Sequence, residues 1–209
     1  AQRLSRSARP MAATLQTLAL GAALALSSLA QADHHGAQHG HALLAEQSSL
    51  QFISVKNAAV AEVHHFKRLS GSISDGKVAV NVPLASVETM IPIRNERMQK
   101  LLFETGMYPT ATVTSQLDMA PVMALECGEY MTMTLPLSVS LHGASQTLEA
   151  ALRVSRMGDE IHVMTDSPLV ISAADFGLAD GVEQLKSVAA LNSISTSVPV
   201  TAHFVFSRD

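Results

Sequence analysis

Aromatic residues are scarce in this chain of 209 residues: 4%, with six Phe, two Tyr and no Trp. A single cysteine, Cys127, rules out an internal disulfide and any zinc site built from several thiolates. The sequence has no Gly-rich phosphate loop, no acidic calcium loop and no G-x-S-x-G elbow. Its basic residues are outnumbered, 14 against 18, which argues against nucleic acid as a partner. What the chain has instead is aliphatic surface. Hydrophobic residues make up 47%, so a globular domain is expected, with an adaptable interior of Val, Leu, Met and Ala.

The first 32 residues read as a secretory signal peptide. Arg3, Arg6 and Arg9 form a basic start, Leu15 to Leu29 is an apolar run, and Ala30-Gln31-Ala32 is an A-x-A cleavage pattern. The run is short for a membrane span of about 20 residues. No Arg-Arg pair is present, so the general secretory route and a periplasmic location are expected. Cleavage would remove three arginines and no acid, taking the formal net charge from −4 to −7.

Residues 33–47 read as a His-rich flexible leader, with His34, His35, His39 and His41 spaced by Gly36 and Gly40. The plain reading is a solvated tether. The sharper one is a copper or nickel site, because imidazole suits those ions. A mature chain starting Asp33-His34-His35 would offer its amine, two backbone nitrogens and the His35 ring in a square plane. Asp33, His34, His35, His39 and His41 are thus the candidate metal ligands, and an envelope metal-binding protein is the alternative function.

From Ser49 onward the pattern is β. The segment M-T-M-T-L-P-L-S-V-S-L alternates without a break, placing Met131, Met133, Leu135, Leu137, Val139 and Leu141 on one face. Asp75-Gly76 and His142-Gly143 mark hairpin turns. The return strand after Asp75-Gly76 carries Val78, Val80, Val82 and Leu84 inward, and the last strand Val198, Val200, Ala202, Phe204 and Phe206. Two short helices interrupt the strands. One is expected over 95–103 with Asn95 as its cap, the other over 180–191 with Asp180 and Glu183 as a capping box. Residues 118–128 read as a loop. Seven or eight strands with turns between them predict one all-β domain over 48–209, either an antiparallel barrel around a cavity or a sandwich with a filled core. Strand length favours the barrel.

Catalysis is not expected. His64, His65, His142, His162 and His203 read as structural or solvated, with His162 and His203 outward on their strands.

Several segments resemble YceI-like domains, in order along the chain: Ile53-Ser54-Val55-Lys56, Leu69-Ser70-Gly71-Ser72-Ile73, Val82-Pro83-Leu84-Ala85-Ser86-Val87-Glu88-Thr89, Arg94-Asn95-Glu96-Arg97-Met98, Tyr108-Pro109-Thr110-Ala111, Leu141-His142-Gly143 and Asp175-Phe176-Gly177-Leu178. The resemblance implies an extended eight-stranded antiparallel, lipocalin-like barrel holding an isoprenoid-type lipid in a long apolar tunnel. It implies no catalytic residues. The chain departs from the pattern in its few aromatics and in the long segment after Gly177, which would place a lid near the mouth.

The expected ligand is a polyisoprenoid or isoprenoid quinone, held by a periplasmic carrier or scavenger that requires no cofactor. The expected lining residues are Val80, Val82, Val113, Met133, Leu135, Leu137, Val139, Leu152, Val200 and Phe204, with Phe103 and Phe176 near the mouth. Transient membrane contact and a homodimer are left open.

Overall fold

A computed structural model of the chain describes residues 40–208. Twelve strands form one sheet: β1 (Gly40–Leu43), β2 (Ser49–Lys56), β3 (Val60–Phe66), β4 (Ser70–Ser74), β5 (Lys77–Pro83), β6 (Val87–Glu88), β7 (Thr110–Gln116), β8 (Tyr130–Leu141), β9 (Ala144–Met157), β10 (Glu160–Thr165), β11 (Leu169–Ser172) and β12 (Ser197–Arg208). All the pairings are antiparallel.

The twelve strands are eight long staves, four of them interrupted. β1 and β2 both lie along one side of β12, β1 against Phe206–Arg208 and β2 against Val200–His203, with a short 3-10 turn at Ala45–Gln47 between them. In the same way β3 continues into β4, β5 into β6 and β10 into β11. Each stave then pairs with the next in chain order, and the β1/β2 stave pairs back with β12. The result is a closed up-and-down barrel of eight staves, which leaves the main sheet without free edges. At the break, the Leu44 N–H donates to the Val205 carbonyl and the Ser48 hydroxyl accepts from the Val205 N–H. These contacts cover Val205, an outward residue that is nevertheless fully buried.

The turns follow from local chemistry. Asp75 and Gly76 take φ of 50° and 77°, and His142 and Gly143 take 53° and 77°. Two consecutive left-handed residues are what a tight hairpin between twisted strands needs.

Among the described residues three α-helices accompany the strands: α1 (Pro92–Arg97), α2 (Met119–Met123) and α3 (Ala179–Val188). A π-helical turn, Met98–Leu102, extends α1. α2 falls in the segment expected to be a loop. Asp118 caps it by accepting from the Ala120 N–H, and Val122 is completely buried, part of the same core cluster as Leu117, Ile73, Ile161 and Phe206.

The structure corrects three local expectations. The flexible leader does not reach residue 47, because Gly40–Leu43 is strand and His41 is buried between β4 and β12. Asn95 is not a helix cap. Pro92 opens α1, as proline's fixed φ allows, and Asn95 reaches back to accept from both the Thr89 N–H and hydroxyl. Asp180 does not cap α3, which begins at Ala179 without a side-chain cap, and Glu183 pairs with Lys186 instead.

Candidate functional site

The interior is not filled. The half of the barrel away from α2 encloses a cavity of about 480 Å³. Its wall comes from one face of every stave except β9. Alternation puts Leu50 and Phe52 of β2, Val82 of β5, Val113 of β7, Leu137 and Val139 of β8, and Val198, Val200, Ala202 and Phe204 of β12 on that face. A second chamber of about 70 Å³ lies toward α2, and Val113, Leu137, Thr165, Ala202 and Phe204 border both.

Two helical elements cross the upper end. Met98, Leu102 and Phe103 line the cavity from the α1 side, and Val182 and Leu185 line it from α3. Met98 and Phe103 belong to the buried core, and Phe103 rests on Phe66 with ring centroids 6.0 Å apart. α3 packs against the π-helical turn through Gly181, where a Cβ would meet the Leu101 carbonyl at 2.6 Å.

One sector of the wall is polar. Glu62 Oε2 lies 3.2 Å from Lys56 Nζ and 2.8 Å from Arg94 Nη1, while Arg94 Nη2 donates to the Thr89 carbonyl at 2.7 Å. Burial works against the Glu62 charge, but the Lys56 hydrogen bond and the two cations outweigh it and hold the carboxyl below its usual range. His64 lies next along this face, 3% exposed, edge-on to Phe52 with centroids 5.4 Å apart. Among the described residues its Nδ1 and the Arg94 Nε have no hydrogen-bond partner. Burial, then the Arg94 charge, push the His64 pKa down, which favours the neutral ring. Chemically the site is a long apolar chamber with a small hydrogen-bonding sector at one side, a form suited to an apolar chain carrying few polar atoms.

Residues 42–206 match the YceI-like domain family. The chain belongs to that family. Among solved structures it is similar to a polyisoprenoid-binding domain from Saccharophagus degradans implicated in plant cell wall breakdown, at 41% identity and a TM-score of 0.79, over 81% of this chain and 98% of that one. It also shares its fold with BcnA of Burkholderia cenocepacia, at 16% identity and a TM-score of 0.59, over 78% of this chain and 98% of that one. No curated protein sequence matches it.

In this YceI-like barrel, seven of the expected lining residues border the larger cavity: Val82, Phe103, Val113, Leu137, Val139, Val200 and Phe204. Val80, Leu135 and Leu152 border the smaller chamber. Met133 and Phe176 line neither. Met133 packs against the core, and Phe176 is buried within it, 1% exposed, so the expectation that these two line the cavity is corrected. It fills the turn where Gly177 takes φ 66°.

The expected metal ligands do not assemble among the described residues. Asp33, His34, His35 and His39 lie outside them, and His41 is a buried strand residue. Among the described residues no three His, Cys, Asp or Glu side chains are grouped to hold a metal ion. His142 lies at its hairpin turn, with Nε2 2.7 Å from Glu104 and its ring 4.5 Å from that of Tyr108. His162 and His203 meet on the outer wall at 3.1 Å.

Sequence reasoning missed Lys56, Glu62, His64 and Arg94. In β3 the pattern misleads, because apolar Val63 points outward at 61% exposure while Glu62 and His64 point in. The usable signal was parity with Phe66, two residues beyond His64 on the same face.

Proposed function

We propose that the chain is a periplasmic binding protein that holds a long apolar lipid, a polyisoprenoid or isoprenoid quinone, as a carrier or scavenger. The observation that carries this reading is the largely aliphatic cavity of about 480 Å³ running along the barrel and open at one end. It falls within the usual range for small-molecule sites, roughly 300–1,000 Å³. Each methylene moved from water into such a wall contributes about 0.8 kcal/mol, so an isoprenoid tail binds by desolvation with few polar contacts. The 41% identical relative described as a polyisoprenoid-binding domain supports the ligand class. The apolar run ahead of Ala30-Gln31-Ala32 supports export. The reading is of a binding protein, with no chemical step assigned.

Expression in a host that makes isoprenoid quinones, followed by organic extraction of the purified protein and mass spectrometry, tests it. An isoprenoid lipid at near-stoichiometric amount is expected. Protein that extracts clean, and that takes up no isoprenoid when one is offered, would overturn the reading.

A further inference from the structure

The open end of the barrel is bounded by three chain segments. The tip between β2 and β3 runs Asn57-Ala58-Ala59 into Val60. The segment entering α1 runs Met90-Ile91-Pro92-Ile93. The end of α3 runs Val188-Ala189-Ala190-Leu191. Ile91, Ile93, Ala189 and Leu191 all line the cavity. The first tip is tied to the third, because the Asn57 N–H donates to the Ser193 carbonyl and the Asn57 side chain accepts from the Asn192 N–H.

These segments contain no ionisable side chain, and they are exposed. Met90 is 82% exposed, Ile93 53%, and Val60 and Val188 45% each. Ile91 and Ile93 border the cavity and also face outward, so the apolar surface runs unbroken from outside the barrel into its interior.

The exposure is built in. Seven described non-glycine residues have a left-handed backbone, and four of them are here: Asn57, Ala58, Met90 and Ala190. Such residues cost conformational energy that glycine would avoid. Met90 is held in that state by its neighbours. Its N–H donates to Glu88 Oε1 at 2.7 Å, Asn95 Nδ2 donates to the same oxygen, and Lys67 pairs with the other. Behind the tips Lys56 and Arg94 share the single carboxylate of Glu62, Lys67 pairs with Glu88 and Lys186 with Glu183, and Arg97 and Lys100 stand against Glu96 and Asp180, six bases to five acids in a chain of formal charge −4.

We propose that this rim is a docking surface for a phospholipid bilayer bearing anionic headgroups, through which the ligand passes directly between membrane and cavity. Rigid apolar tips backed by a basic band are the surface that interfacial binding calls for. An unbroken apolar path spares the lipid an aqueous step. The role in ligand passage rests on the lipid-holding reading above; the docking itself does not.

The test uses the protein as recovered from its host and the triple variant Val60→Lys, Met90→Lys, Val188→Lys, one change per tip. None of the three residues lines the cavity. Met157→Lys, an exposed residue at the far end of the barrel, is the control. All share the same N-terminal segment, so differences belong to the rim. Vesicles of phosphatidylcholine with phosphatidylglycerol should sediment the parent and the control but leave the triple variant in solution. Transfer of a fluorescent farnesyl probe from those vesicles should slow by about tenfold or more in the triple variant, as three apolar contacts with the bilayer are lost. Binding of the probe presented in solution should be equal in all three. Equal sedimentation of parent and triple variant, or no sedimentation of either, overturns the docking surface. If the probe binds none of the proteins in solution while the triple variant still loses the vesicles, docking stands and the lipid-holding reading fails.

Discussion

Gly181 of α3 lies directly against the carbonyl of Leu101 in the π-helical turn, at a distance that leaves no room for a Cβ. The two elements that roof the cavity therefore touch backbone to backbone. Gly181→Ala would place its methyl 2.6 Å from the Leu101 oxygen and 2.9 Å from the Leu102 Cα. Neither is the far end of a flexible side chain, so α3 must move. A loss of roughly 1–3 kcal/mol is expected, with faster escape of bound lipid than from the parent. A urea melt and a dissociation rate measured on the same preparation check both. An unchanged melt would mean that the roof is looser than this packing implies.

Leu137 separates the two chambers and borders both. In a filled core, Leu137→Trp would cost about 1–3 kcal/mol through overpacking. Here it should fill empty volume, leaving the unfolding midpoint unchanged or higher while lipid capacity falls. Denaturation together with quantitative extraction separates these outcomes. A large destabilisation would argue against the cavity.

His64 and His203 both have lowered pKa values, caused first by burial and then by Arg94 and His162 respectively. In the unfolded chain each takes up a proton near the ordinary histidine value of about 6.5. In the folded protein each stays neutral to lower pH. The unfolded state therefore binds more protons below that point, so stability should be full above it and fall as pH drops through it. The slope is at most about 1.4 kcal/mol per pH unit for each group. His64→Phe should flatten this decline while keeping the ring against Phe52. Urea midpoints from pH 7.5 to 5 provide the measurement, and an equal slope in both proteins would contradict it.

Asn95 holds the entrance to α1 by accepting from the Thr89 N–H at 2.9 Å and its hydroxyl at 2.6 Å. It also donates to Glu88, whose carboxyl is held down at about 2 by Asn95, Lys67 and the Met90 N–H, in that order. Thr89 is buried. Asn95→Ala leaves the Thr89 N–H without a partner and the Thr89 hydroxyl with only the Ile91 carbonyl, and should cost about 1–3 kcal/mol. Hydrogen exchange at Thr89 and Met90 should accelerate more than exchange in the strands. Uniform acceleration would instead indicate a global loss of stability.

Much of the architecture was legible because its causes are local. Alternation in Met131–Leu141 fixed which side chains of β8 face in, and the whole run lies in one strand, Tyr130–Leu141. Asp75-Gly76 fixed a hairpin because few residues tolerate two left-handed positions in succession. The helices were less legible. Asn95 has the residue type of a cap, but Pro92 three positions earlier offers a better start, and a side chain that can cap can also bridge to Thr89. α2 was invisible because its five residues carry too short a pattern to show a period.

The polar sector shows where local reasoning ends. Nothing within β3 makes Glu62 and His64 inward and Val63 outward. That follows from pairing with β2, where Phe52 stands opposite His64 and Ser54 opposite Glu62. By itself the sequence determined most of the strands and their turns, the inward face of most staves and membership of the YceI-like family, since each depends on neighbours a few residues apart or on ordered motifs. Only the tertiary structure decided that β1, at one end of the domain, closes on β12 at the other, and that a cavity remains inside. Closure depends on the register of eight staves at once. Empty volume is the difference between the radius they set and the side chains that point inward, so no single segment encodes it.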